Sequence, residues 1–559
     1  YKYNNLNGEP VLANSNRDTE DWDKRAYLVN MQLFANYDKY FGKHHVSGLL
    51  GASNESFTAE SNQVNIMYTD SQLGIPGDGS EIQLTNANGD GINTVTPMNT
   101  ERTSITSVFG RVGYDYNDRY YGEVSFRYDG SSKFEKDYRW GFFPSLSVGW
   151  RLSNEEFMDT YRENVGDLKV RLSYGTLGNQ NVASYQYLTT YSVYSNAYAF
   201  NNTAVAGTGF QVGSERLQWE VSHTLNFGID ASFFKDKLSI GFDVFNKNTD
   251  HILVAPLVPD IYGTAPQDYN AGEMRTQGWD LTVGLNLKTG DFKHNISFIL
   301  GDSWNKVIRF EGFETINPHE EIWEINREGL PFRSYYGYKS DGIFQTQEEI
   351  DNWAKRPGVE FQVGDLKILD RNGDNKIDDN DWYYLGNAFP RYTFGLTYNL
   401  AWKGFDFGFF LQGVLKRDMM LRGELIEPFH EGYGYTMYEH QLDYWTPTNT
   451  GAKYPRLAYG NTLNYGKGYG SDLFIYDGSY MRVKNVMLGY TLPESLTKKV
   501  GIQKLRIYIN AQNLFTFSNV SFIDPESSEY DNNMGSGGAD SGRNYPVLKY
   551  YGMGLDLTF

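Results

Sequence analysis

Side chains in this sequence alternate with period two over unusually long runs, and no other feature narrows the possible folds as much. Val108, Gly110, Val112, Tyr114 and Tyr116 share one face, while Phe109, Arg111, Gly113 and Asp115 share the other. After Asn117-Asp118 the alternation resumes, with Tyr120, Gly122, Val124, Phe126 and Tyr128 opposed to Tyr121, Glu123, Ser125, Arg127 and Asp129. A strand sends successive side chains to opposite faces, so each run predicts a strand with one apolar and one polar face, and the Asn-Asp step predicts a hairpin turn.

The unit recurs. Leu225, Phe227, Ile229, Ala231 and Phe233 lead through Lys235-Asp236-Lys237 into Leu238, Ile240, Phe242 and Val244. Leu281, Val283, Leu285 and Leu287 turn at Thr289-Gly290-Asp291 into Phe292, Ile296 and Phe298. Tyr392, Phe394, Leu396, Tyr398, Leu400 and Trp402 turn at Lys403-Gly404 into Phe405, Phe407, Phe409 and Leu411. Tyr551, Met553, Leu555, Leu557 and Phe559 alternate with Gly552, Gly554, Asp556 and Thr558 in a last strand. The alternation test predicts on the order of 16 strands, many of about 12 residues, where soluble strands typically run about five or six.

Segments 67–101, 178–213, 251–269, 312–388 and 414–470 are rich in Asn, Gly, Ser and Asp and separate these hairpins. Short turns at one end with long loops at the other are the asymmetry of outer-membrane barrels, and Tyr, Phe and Trp near strand ends suit two membrane interfaces. The expected class is therefore all-β, a transmembrane antiparallel β-barrel. A soluble sandwich or propeller is the competing architecture, because it also needs alternating strands.

Composition agrees with a barrel. No run approaches the roughly 18 apolar residues of a spanning helix, whereas a barrel strand crosses with about 9 to 11 residues and offers only alternate side chains to lipid. A mean hydropathy of −0.55 is what such a pattern yields. There is no Cys, hence no disulfide framework or thiol chemistry. A net charge of −19 leaves no basic excess for nucleic acid. Tyr1-Lys2-Tyr3-Asn4-Asn5 lacks a basic start and an apolar stretch, so the expectation is that an exported protein begins upstream and that the aromatic Phe559 is a true end.

Several segments together resemble the SusC/RagA branch of TonB-dependent outer-membrane transporters. They are Arg127-Tyr128-Asp129-Gly130-Ser131-Ser132-Lys133-Phe134, Trp140-Gly141-Phe142-Phe143-Pro144-Ser145 with Gly149-Trp150-Arg151, and Leu172-Ser173-Tyr174-Gly175-Thr176-Leu177-Gly178-Asn179-Gln180. Tyr444-Trp445-Thr446-Pro447, Asp477-Gly478-Ser479-Tyr480-Met481-Arg482-Val483-Lys484-Asn485 and Asn510-Ala511-Gln512-Asn513-Leu514-Phe515-Thr516-Phe517 follow in the same order. The resemblance implies that residues 1–559 are a portion of a 22-stranded barrel with long extracellular loops, whose plug domain and TonB-binding segment are not in this chain. It implies TonB-dependent import of an oligosaccharide or peptide beneath a SusD-like surface lipoprotein. TonB with its inner-membrane energising complex, outer-membrane lipid and lipopolysaccharide would be the further partners. A passive porin and a soluble glycan-binding β-protein are the alternatives.

One motif stands apart. In residues 370–381, Asp370, Asn372, Asp374, Asp378 and Asp381 occupy positions 1, 3, 5, 9 and 12 of an EF-hand-like loop, with the Lys376 carbonyl at position 7 and Ile377 in the apolar eighth place. Ca²⁺ takes six to eight oxygens, and carboxylates this dense repel one another without a cation. A structural Ca²⁺ site of modest affinity is expected, since Asn375 replaces the turn Gly and Asp381 is shorter than the usual Glu. A solvated Asx-rich turn is the plainer alternative. No catalytic constellation is present: the eight His lack zinc-site spacing, no Gly-rich phosphate loop opens a helix, and Glu155-Glu156 and Glu320-Glu321 are adjacent acids that point apart. Loop aromatics Tyr335, Tyr336, Tyr338, Trp382, Tyr383, Tyr384, Tyr433 and Tyr435 would either stack on a ligand or pack on protein.

Overall fold

In the computed structural model, described over residues 2–4, 10–12, 17–68, 96–200, 203–255, 261, 267–312, 314–318, 323–429, 437–458, 463–465, 470–526 and 545–559, the alternating runs are strands of one sheet. Fifteen strands form it, one fewer than the roughly 16 that alternation predicts. They are β1 (Arg17–Phe41), β2 (His44–Tyr68), β3 (Thr96–Tyr116), β4 (Tyr120–Ser131), β5 (Trp140–Arg151), β6 (Leu168–Asn179), β7 (Glu220–Phe233) and β8 (Leu238–Val254). β9 (Tyr269–Thr289), β10 (Phe292–Phe310), β11 (Arg391–Trp402), β12 (Phe405–Lys416), β13 (Tyr480–Thr491), β14 (Lys504–Ser518) and β15 (Tyr550–Thr558) complete it. Every pairing is antiparallel and joins strands adjacent in the chain, so the sheet is a meander with β1 and β15 at its edges.

The connections alternate as the composition predicts. Gly42-Lys43, Gly290-Asp291 and Lys403-Gly404 close three hairpins of the short end, and Gly42 and Gly290 have φ of 64° and 61°, which a side chain would strain. The described parts of residues 180–219, 311–390, 417–479 and 519–549 lie at the long end. These are not featureless. Strands Thr190–Phe200 and Thr203–Gln211 pair within the first, and the second and third hold small sheets of their own. Period two does not reveal the small sheets, because their strands run only three to five residues.

Register puts the apolar rows together. Val112 pairs with Val124 and Tyr116 with Tyr120, so β3 and β4 present one continuous apolar face. That face is bare: Val124, Phe126, Tyr128, Leu146, Val148, Leu172, Ile507, Ile509, Leu555 and Leu557 are all exposed. The buried apolar clusters lie instead at the long-loop end, around Phe134 and Trp219 and within the loops around Met419, Tyr335 and Ile377. A sandwich would hide the rows between two sheets; here they face outward, as lipid contact requires. Among the described residues no helix is long and apolar enough to cross a membrane.

Aromatic rows bound the outward face. At the short-turn end Tyr120 lies 6.4 Å from Tyr116 and 6.3 Å from Trp150, and Phe292, Trp402, Phe405 and Tyr490 succeed one another at 5.2, 5.8 and 4.4 Å between centroids. Tyr128 stacks on Trp140 at 4.8 Å toward the other end. Tyr120 to Tyr128 is about 26 Å along a strand and roughly 20 Å in height at a tilt near 40°, comparable to the apolar band of known barrels. Val124 sits midway. Val124→Arg is expected to cost about 2–4 kcal/mol in a lipid-reconstituted protein, read from the denaturant midpoint, while Glu123→Gln on the inner face leaves the midpoint in place. Equal losses at both positions would show that the face does not meet lipid.

Candidate functional site: the inner face and the loop platform

The inner face gathers the polar members of each alternation, and register makes ion pairs of them. Arg171 of β6 reaches Asp230 of β7 at 2.6 Å and Asp243 of β8 at 3.0 Å, and Asn226 donates to Asp243 at 2.8 Å. Arg506 of β14 reaches Asp556 of β15 at 2.9 Å and Asp406 of β12 at 2.6 Å. Two of these contacts, Arg171 to Asp243 and Arg506 to Asp406, pass over an intervening strand, and at each crossing that strand carries glycine. A Cβ on Gly228 would lie 2.5 Å from Asp243 and 2.6 Å from Arg171; one on Gly489 would lie 2.7 Å from Asp406 and 2.8 Å from Arg506. Alternation alone does not disclose these braces. They become legible once strands are paired: Arg171, Gly228 and Asp243 fall in one row, and Arg506 lies one inward step from the row of Gly489 and Asp406.

At the long end, two connections fold into a common platform. Strands Thr315–Pro318, Trp323–Ile325, Ser334–Gly337 and Tyr383–Asn387 form one sheet, and Asp418–Met420 pairs with Ile475–Asp477. Arg456 binds Asp365 at 2.6 Å and Asn464 donates to the same carboxylate at 2.9 Å, joining the 311–390 and 417–479 connections. Buried Glu324 pairs with Arg333 at 2.7 Å; burial pushes its carboxyl above the usual carboxylate range against the pull of the guanidinium. Arg482, facing inward from β13, holds Asp524 at 2.6 Å and Glu526 at 2.5 Å, so the start of the 519–549 connection folds over the inner face. His440 lies flat on Phe522 at 3.7 Å, and burial holds its imidazole below the ordinary value. A cavity of about 560 Å³ opens beside this contact, lined by Tyr438, Phe522, Asn513, Thr516, Asp524 and Lys549 among others.

The loop aromatics divide. Tyr335 and Tyr338 are fully buried, and Trp382 packs edge-on against Tyr336 and Tyr338, both at 6.1 Å, so these four serve packing. Tyr383 lies under the Arg371 guanidinium, Tyr384 is exposed, and Tyr433 and Tyr435 lie outside the described residues. Glu155 receives Trp150 Nε1–H at 3.0 Å and pairs with Arg119 at 3.3 Å, while Glu156 points into solvent. Glu320 and Glu321 lie outside the described residues.

In the 370–381 loop, the side chains hold the loop's own backbone amides. Asp370 accepts from the Gly373 and Asn375 amides at 2.7 and 2.8 Å, Asn372 from Asp374 at 2.9 Å, and Asp374 from Lys376 at 2.8 Å. Asn375 has φ of 64°, the left-handed conformation for which Gly is usual. Ile377 is buried in the platform core, and the buried Asp381 carboxylate accepts from the Arg371 and Asp378 amides at 2.9 and 2.8 Å. The donor chemistry suits a hard cation; Asp374 is exposed and Asp378 half-buried. Among the described residues, however, no three acidic or His side chains converge on one metal position; the carboxylates hold the loop's own amides.

These features have counterparts. Residues 1–514 match the family described as TonB dependent receptor-like, beta-barrel, and the chain belongs to that family. TonB-dependent receptor P3 of Formosa agariphila is 30% identical over 539 residues, covering 94% of this chain and 52% of that protein. TonB-dependent receptor SusC of Bacteroides thetaiotaomicron is 29% identical over 479 residues, covering 82% and 44%. The chain thus spans about half the length of the relatives it matches. The RagAB peptide transporter superposes with a TM-score of 0.77 at 21% identity, over 99% of this chain and 57% of that one, which establishes the fold. The location is the bacterial outer membrane, and the family is one of receptors and transporters, not enzymes.

The glycine crossings yield a direct test. Gly228→Val drives Arg171 and Asp243 apart and is expected to destabilise the protein by about 1–3 kcal/mol, measured by denaturant unfolding in detergent. Gly241→Val is the control. The nearest atom to a Cβ there is Asp230 Oδ1 at 3.7 Å, so the loss should be well under half as large.

Proposed function

We propose that this chain is part of the barrel wall and the outer platform of a TonB-dependent importer that carries an oligosaccharide or a peptide across the outer membrane. The observation that carries the reading is a sheet bare and apolar outside, ion-paired inside, and surmounted at one end by a folded platform. No chemistry on a bond is needed; the wall offers a polar passage and the platform a surface for capture. In this reading strands outside the chain pair with the edges β1 and β15, since a strand edge facing lipid would leave backbone groups without partners. A plug within the wall, TonB below it, and a SusD-like lipoprotein seated on the platform complete the assembly. The descriptions of RagAB as a peptide transporter and of several relatives as TonB-dependent receptors favour import over a passive pore.

Uptake tests it. In cells deleted for the complete receptor, uptake of labelled oligosaccharides and peptides should fall at least about tenfold for one of these classes, and an uncoupler should abolish it in the wild type. Uptake that persists without the proton gradient would favour a porin.

The 370–381 loop, in the same reading, binds Ca²⁺ through Asp370, Asn372, Asp374, the Lys376 carbonyl, Asp378 and Asp381, and stiffens the platform. Spacing, wrapping and the anchored Ile377 support this; on cation binding the exposed carboxylates would turn from amides toward the metal. Titrating Ca²⁺ should raise the melting temperature of the receptor, and Asp374→Ala should remove most of the rise. An unchanged melting temperature would leave the loop as an Asx-rich turn.

A further inference from the structure

On the outward face at the long-loop end, two cations stand side by side with no acid engaged to either. Arg275 of β9 and Lys306 of β10 are direct register partners, and both are exposed. Arg275 donates from Nε to Asn248 Oδ1 at 3.0 Å; among the described residues neither side chain enters an ion pair. The neighbouring acids are otherwise placed. Asp250 lies 3.4 Å from His223, Asp302 is gripped by Arg391 at 2.5 Å, Glu311 lies 3.7 Å from Arg309, and Glu273 stands opposite Arg309 in register.

Their height on the wall matters more than their number. Trp304 and Trp279 share their face one and two steps nearer the bilayer, and the Arg391 guanidinium lies over Trp304 at 5.3 Å. At the far end, the pair Thr289 and Phe292 belongs to the short-turn aromatic row. From that pair to Arg275 and Lys306 is about 46 Å along the strand and roughly 35 Å in height at a tilt near 40°. A hydrocarbon layer of about 25–30 Å ends below them, at the tryptophans. The cations therefore stand in the headgroup layer of the outer leaflet.

We infer that Arg275 and Lys306 form a binding site for the phosphate of an anionic lipid in that leaflet. Arg275 can fork onto two phosphate oxygens and Lys306 supplies a point charge, while Asn248 and Gln277 add amides on the same face. Trp304 below them suits the junction of headgroup and acyl chain. The inference rests on the outward orientation of this face and not on the import reading.

The complete receptor in phosphatidylcholine nanodiscs, doped with phosphorylated or with dephosphorylated lipid A, tests it, with native mass spectrometry counting retained lipid. Wild type should retain the phosphorylated form preferentially. Each of Arg275→Gln and Lys306→Gln should lower retention roughly fivefold and the pair about thirtyfold, whereas Lys306→Arg keeps it. Lys403→Gln, at the opposite rim and paired with Asp291, should change nothing. Heat-modifiable gel migration reports folding, and the single variants carry the test if the double variant does not fold. Equal retention of dephosphorylated lipid, unchanged retention in the Gln variants, or displacement by millimolar inorganic phosphate would each overturn the lipid assignment.

Discussion

A backbone amide or carbonyl left unpaired in hydrocarbon costs several kcal/mol, and the rest of this structure depends on avoiding that cost. A sheet answers it by pairing each strand on both sides, which leaves the side chains to satisfy two solvents at once. Period two is the result: alternate residues meet lipid and the others meet the interior. Tight turns at one end follow too, because a meander of neighbouring strands needs nothing longer there. The buried apolar clusters are consequently displaced to the long-loop end, in the platform and around Phe134 and Trp219, where protein packs on protein from several directions.

Inside the wall, charge takes over part of the role that a packed core has elsewhere. Arg171 and Arg506 each bind carboxylates on two other strands, and glycines at 228 and 489 open the path. Such pairs are partly solvated, so each is worth little by itself. Their value is geometric, because a guanidinium fixed at both ends spaces the strands that carry its partners.

How much of this is readable in the residues depends on periodicity. The hairpins of β3 with β4, β7 with β8, β9 with β10 and β11 with β12 are written in the alternation, with their turns placed to within a residue. The platform is not, because Tyr335, Ile377 and Met420 are buried by contacts distant in sequence and belong to no period. The inward start of the 519–549 connection is invisible for the same reason: its anchor, Arg482, looks like any other polar position until Asp524 and Glu526 are seen beside it. The 370–381 loop is the reverse case: its oxygen-bearing side chains stand out in the sequence by their spacing, while the amides that they hold are seen only in the folded loop. Among the loop aromatics, composition alone does not separate the buried Tyr338 from the exposed Tyr384.

Strict pairing between chain neighbours also governs how such a wall can change over generations. Removing or duplicating one two-stranded unit alters the circumference while every remaining register survives, so girth is free to vary in steps of a hairpin. Sequence drift is then channelled to one rim, where whole connections can be exchanged without touching a single inter-strand bond below.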